Sequence, residues 1–176
     1  MERAIERPQV GEFAPFYANY INLVSSTAIL PQFQLNLDKT IALLEHLPLE
    51  AGNFAYAEGK WSIKELLQHC IDTEQIMLYR ALRFARNDGQ ALLGFDEDAY
   101  VLAVDLKNRS LADLLIDWRS LRQFSQRFFL SLRTEDWEKR GIASGKTCSV
   151  RALAYIILGH ESHHRNILEE RYLPYV

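Results

Sequence analysis

Leu153-Ala154-Tyr155-Ile156-Ile157-Leu158-Gly159-His160-Glu161-Ser162-His163-His164-Arg165-Asn166-Ile167-Leu168 is the stretch whose reading decides the fold. Leu153, Ile156, Ile157, Ile167 and Leu168 recur at helical spacing and predict an amphipathic helix with its apolar stripe against a core. At about 100° per residue, His160 and His164 lie about 40° apart in the middle of that stripe. A single imidazole there is usually a core histidine whose polar tip finds a carbonyl or carboxylate. Two of them one turn apart are better explained by a cation, because side chains at i and i+4 can aim two ring nitrogens at one centre. His163 lies about 60° to the other side of His160. It falls at the edge of the stripe and is assigned to a rim or a dimer surface. The pair is not read as the H-E-x-x-H motif of zinc proteases.

Working outward, 176 residues with 48% apolar and 24% charged side chains suit one domain over 1–176 with a buried core. A net charge of −3 gives no electrostatic reason to expect nucleic acid as a partner. No apolar run has the length of a membrane span, and residues Met1–Pro8 lack the apolar segment of a signal peptide. The expectation is a cytoplasmic chain without a membrane partner. Cys70 and Cys148 are too few for a disulfide framework or a cysteine zinc site, and Cys70 reads as a small core residue.

Pro8 and Gly11 break the polar first dozen residues, which are expected to wrap the surface. A short helix near Pro15 follows within Phe13–Val24. Ala28–Leu47 carries Leu30, Phe33, Leu37, Ile41, Leu44 and Leu47 at helical period before Pro48 stops it, with His46 as a surface cap. Ser62-Ile63-Lys64-Glu65 spells a capping box that opens a helix to Arg86. On that helix His69 shares a face with Glu65, Leu66, Asp72, Thr73, Ile76 and Arg80, a mixture more polar than a structural stripe needs. Ala91–Asn108 reads as irregular, its acidic 94–100 segment solvated or supplying helix caps. Ser110 opens another helix reaching Arg133, residues Trp137–Thr147 connect, and Ser149 caps the last helix. No strand alternation is read anywhere. Four long amphipathic helices predict an all-α, antiparallel four-helix bundle with an extra short N-terminal helix. In a bundle, side chains of facing helices converge, so His69 can meet His160 and His164.

These residues resemble the DinB-like superfamily of four-helix metalloproteins, close to its YfiT-type metal-dependent hydrolases. The resemblance rests on Tyr56–Glu65 leading into His69, on Asp72-Thr73-Glu74, Tyr79–Arg86 and Gly94-Phe95-Asp96, and on Ser149–Ile157 followed by Gly159–His164. It covers nearly the whole chain from about Phe16. It implies a divalent metal, zinc or nickel, on three histidines that fall position by position on His69, His160 and His164. It also implies a homodimer acting on a small-molecule substrate. Asp72 and Glu65 are candidates for orienting the site or acting as base, and Arg80 and Arg83 for receiving an anionic substrate. Elsewhere in the superfamily are bacillithiol-type thiol transferases and mycothiol-dependent isomerases. The alternatives to hydrolysis are therefore transfer to a low-molecular-weight thiol, or a non-catalytic metal-binding bundle of the stress response.

Overall fold

In the computed structural model, which describes residues 4–176, the helices are α1 (Ala18–Asn22), α2 (Ile29–Leu44), α3 (Ile63–Ala85), α4 (Glu97–Ala103), α5 (Leu111–Leu130) and α6 (Val150–Ile167). Serines start three of them. Ser62 and Ser110 each form a reciprocal capping box, with Glu65 and Asp113, and Ser149 Oγ accepts from the Ala152 amide at 3.1 Å. Each such cap is worth about 1 kcal/mol. Asp96 accepts from the Ala99 amide at 3.0 Å, so the acidic stretch read as irregular opens the short helix α4. No helix of the described residues is long and apolar enough to cross a membrane.

Two apolar clusters fix the direction of the four long helices. One end of the bundle gathers Ile29 and Phe33 of α2, Ala81 and Phe84 of α3, Phe129 of α5, and Leu153 and Ile156 of α6. The other gathers Leu37 and Leu44, Leu66 and Leu67, Leu114 and Trp118, and Leu168 just past α6. Helices α2 and α6 therefore run one way and α3 and α5 the other. Helix α6 packs on α3 and α2, and α5 packs on the same two. The pairs consecutive in sequence, α2 with α3 and α5 with α6, thus face each other across the diagonal. The predicted bundle is present, but the simple antiparallel order is not: each helix has one parallel and one antiparallel neighbour. The cause is the 86–110 connection, which travels back along the bundle so that α5 starts at the end where α3 started.

Two further expectations give way. Arg140–Ala143 (β1) and Lys146–Ser149 (β2) pair as an antiparallel hairpin with Ala143 opposite Lys146. Its two-residue turn, Ser144-Gly145, has φ of 52° and 71°, the left-handed geometry that matches strand twist in tight hairpins. Four-residue strands burying Ala143, Cys148 and Ser149 together show too little alternation to be read as strands. Leu92 joins this hairpin through its amide to Ile142 O at 2.9 Å and its carbonyl to the Ser144 amide at 3.0 Å. The N-terminal segment does more than wrap the surface. Ile5 is buried, its carbonyl accepts from Tyr155 Oη at 2.8 Å, and Glu12 is buried against Ser149 and Arg151.

Helix α6 is buried nearly all round, because this N-terminal strap and α1 cover the side that α2 and α3 leave open. At mid-length it carries Glu161 into a charged cluster. Arg122 of α5, fully buried, donates to Glu161 Oε2 at 2.7 Å, to Glu74 Oε2 of α3 at 2.8 Å and to Phe33 O of α2 at 2.6 Å. Trp118 Nε1 donates to Glu74 at 2.9 Å, and Thr40 Oγ1 donates to Glu161 at 2.8 Å. Burial alone would lower the pKa of Arg122; the two carboxylates outweigh it and hold the guanidinium charged.

Removing one member of a buried ion network strands the others. Arg122→Met is expected to cost about 3–5 kcal/mol, read as a fall in the urea midpoint, and Thr40→Val about 1 kcal/mol. Glu12 gives a pH dependence. Burial would raise its pKa, but hydrogen bonds from Arg151, Ser149 and the Gln9 amide bring it from 4.5 down to about 2. Its stabilisation is therefore complete above pH 4.5 and is lost as the pH falls toward 2. Glu12→Gln should show a shallower loss of urea stability across that window than the parent chain.

Candidate metal centre

His69 projects from α3, and His160 and His164 from α6, at the contact between these helices. The Nε2 atoms of His69 and His160 are 2.9 Å apart, and those of His164 and His160 3.1 Å. All three rings are buried, and theirs is the one histidine, cysteine or carboxylate cluster of metal-binding compactness among the described residues. Burial lowers the pKa of His69 to about 4, against the pull of Glu97 and Asp98, and that of His164 to about 3. His160, wholly enclosed, lies well below the ordinary range. All three are neutral at physiological pH and can present lone pairs.

A neutral imidazole nitrogen bears either a proton or a lone pair. The His160 Nε2, in contact with two other nitrogens, cannot satisfy both by proton sharing, whereas one cation satisfies all three. The residues therefore fit a divalent ion of the kind imidazole favours. His164 Nδ1 is buried with no hydrogen-bond partner among the described residues, so packing holds that ring rather than a carboxylate behind it.

The surrounding rings are placed by specific contacts. Trp61 lies 4.7 Å from the His69 ring, and its carbonyl accepts from Tyr172 Oη at 2.7 Å, in the π-helical turn that follows α6. Tyr20 meets His160 edge-on at 5.3 Å. A Cβ at Gly159 would lie 2.0 Å from Tyr20 O, so only glycine lets α1 approach α6 this closely. His163 is half-buried, 5.3 Å from Tyr20 and 5.0 Å from His164, and outside the cluster.

The histidines open on a cavity of ≈ 430 Å³ that runs past Thr73 and Met77 of α3 to Phe95 and Ser144, with Glu97 as its lining carboxylate. A second hollow of ≈ 250 Å³ lies beyond Trp61 and His164.

Of the other sequence candidates, Glu65 caps its own helix through the Ser62 amide at 2.6 Å. Asp72 accepts from Gln68 at 2.9 Å, with burial raising its pKa. Arg83 is engaged by Asp88, Tyr79 and Gln90. None of these three lines the histidine cavity. Arg80 is buried just beyond the cavity's far wall, on Ser144. Cys70 is core, its thiol pKa raised well above normal by burial. Residues 160–164 do spell H-E-x-x-H, so the spacing gives no ground for setting that motif aside as the sequence reading does. The structure gives a reason to do so: Glu161 faces away from the histidines, into Arg122 and Thr40. Sequence reasoning placed Thr73 on the face of His69 without giving it a role, and missed Tyr20, Trp61, Glu97 and Ser144 as site residues, which depend on tertiary placement.

Comparison with known proteins identifies the fold and the family. The structure matches that of YfiT from Bacillus subtilis, described as a probable metal-dependent hydrolase with an unusual four-helix bundle topology. The TM-score is 0.70 at 14% identity, covering 94% of this chain and 91% of that one. No curated protein sequence matches the chain. The family model of the DinB superfamily matches residues 32–168, which include every long helix but the first turn of α2 and all three histidines. The chain belongs to the DinB superfamily.

Proposed function

We propose that the chain is a metal-dependent hydrolase of a small molecule, with a divalent ion, zinc or nickel, on His69, His160 and His164. The observation that carries this reading is the convergence of three neutral Nε2 atoms at the wall of a cavity large enough for a substrate. An ion bound there supplies Lewis acidity, polarising a carbonyl or phosphoryl oxygen and making water a stronger acid. The chain supplies the rest. Glu97, the carboxylate on the cavity lining, accepts the proton that water loses. Thr73 Oγ1 is buried without a protein partner among the described residues and donates to a substrate oxygen. Trp61 and Tyr20 shield the histidines from bulk water. Glu161, held by Arg122, takes no part in proton transfer.

Metal analysis of the purified protein should find close to one divalent ion per chain. His160→Gln and His164→Gln should lose it, with affinity down at least tenfold, whereas His163→Gln should keep it. Glu97→Gln should retain the metal while kcat on an ester or amide substrate falls about 10²- to 10⁴-fold. Turnover that required an added low-molecular-weight thiol would replace hydrolysis by thiol transfer.

A further inference from the structure

Among the described residues two arginines, Arg80 and Arg122, are buried, and their surroundings differ in one respect. Arg122 is neutralised by two carboxylates. Arg80, only 3% exposed, has neutral partners alone: Leu93 O at 3.1 Å, Ser144 Oγ at 3.1 Å and Met77 Sδ at 3.7 Å, with the Phe95 ring 5.9 Å away. No carboxylate of the described residues forms a salt bridge with it. An uncompensated guanidinium in low dielectric is costly unless something negative approaches it.

Arg80 itself lines a small neighbouring hollow with Phe16, Tyr17 and Cys148, and it meets the histidine cavity through Ser144. Arg80 follows His69 by 11 positions on α3, about 16 Å along the axis and about 20° round it, so both stand on nearly one face. Thr73 and Met77, between them on that face, line the cavity. Ser144 lines its far end. Because Ser144 Oγ accepts from Arg80 Nη2, its own hydrogen is left to donate into the cavity. Tyr17 is on the same wall; burial raises the pKa of its phenol, and the adjacent Arg80 guanidinium opposes that rise. Ser144 holds its place with φ of 52°, uncommon for a residue with a side chain, and a Cβ on Gly94 would come within 3.2 Å of its hydroxyl. Between the two ends Phe16, Met77 and Phe95 give the cavity an apolar stretch, with Thr73 and Glu97 its polar members.

We propose that Arg80, acting through the Ser144 hydroxyl, is the specificity determinant for a substrate with an apolar body and a carboxylate remote from the group that reacts at the histidines. This rests on the reading that the histidine cavity receives the substrate, but not on the metal being there. Calorimetric titration of the chelator-treated protein with 4-phenylbutyrate and with 4-phenylbutanol tests it, with metal content measured separately on untreated protein. The acid is expected to bind at least tenfold more tightly than the alcohol. Arg80→Gln should abolish that preference, and Ser144→Gly, which keeps the backbone geometry, should reduce it several-fold. Arg83→Gln should leave it unchanged. Equal binding of acid and alcohol overturns the proposal, as does binding of the acid only after metal is restored, or a preference that survives Arg80→Gln. If Arg80→Gln fails to fold, Ser144→Gly decides: a preference unchanged there overturns the proposal. A protein that binds the acid yet purifies without metal sinks the hydrolase reading and leaves this one standing.

Discussion

The ion cluster of Arg122, Glu74 and Glu161 is the constraint around which the bundle is built. Every long helix contributes to it, α2 through Phe33 O and Thr40 and the others through charged side chains. Hydrophobic contact tolerates sliding and rotation, since one leucine can replace another against the same surface. A buried guanidinium with two carboxylates does not, because any shift in register leaves a charge without its partner. The cluster therefore sets the relative heights of α3 and α6, and those heights bring His69 level with His160 and His164.

The same cluster separates what the H-E-x-x-H spelling joins. In a helix the residue after a histidine is turned by about 100°, and here that turn carries Glu161 away from the cavity to the centre of the bundle. The motif's letters are those of a zinc protease, but its carboxylate is committed to Arg122. The carboxylate available to the cavity comes instead from Glu97, outside the four long helices. Identical short strings can thus serve different chemistry, depending on which helices surround them.

Much of this was legible in the sequence, and for identifiable reasons. Ser62, Ser110 and Ser149 marked helix starts because a cap is local and its hydrogen bonds lie within three residues. The periodicity of α2, α3, α5 and α6 gave a helical bundle, and the i, i+4 histidines gave the pair that His69 joins in space. The order of the helices around the bundle was not legible, since a 25-residue connection is compatible with a turn or a full return. The hairpin was hidden because its strands are four residues long and bury adjacent side chains. The isolation of Arg80 was equally invisible: absence of a counter-charge is a property of the folded neighbourhood, not of any residue type.

Helix α6 presents His160 and His164 to one side and Glu161 to another, with no solvent-facing side at mid-length to absorb error. Adding or deleting one residue upstream within it would rotate both groups at once, taking the histidines from the cavity and the glutamate from Arg122. Substitution can remodel this helix one position at a time, but its length is frozen. An insertion in the 86–110 crossover or at the hairpin tip would leave α6 unturned, but it would move Glu97 or Ser144 at the cavity wall instead.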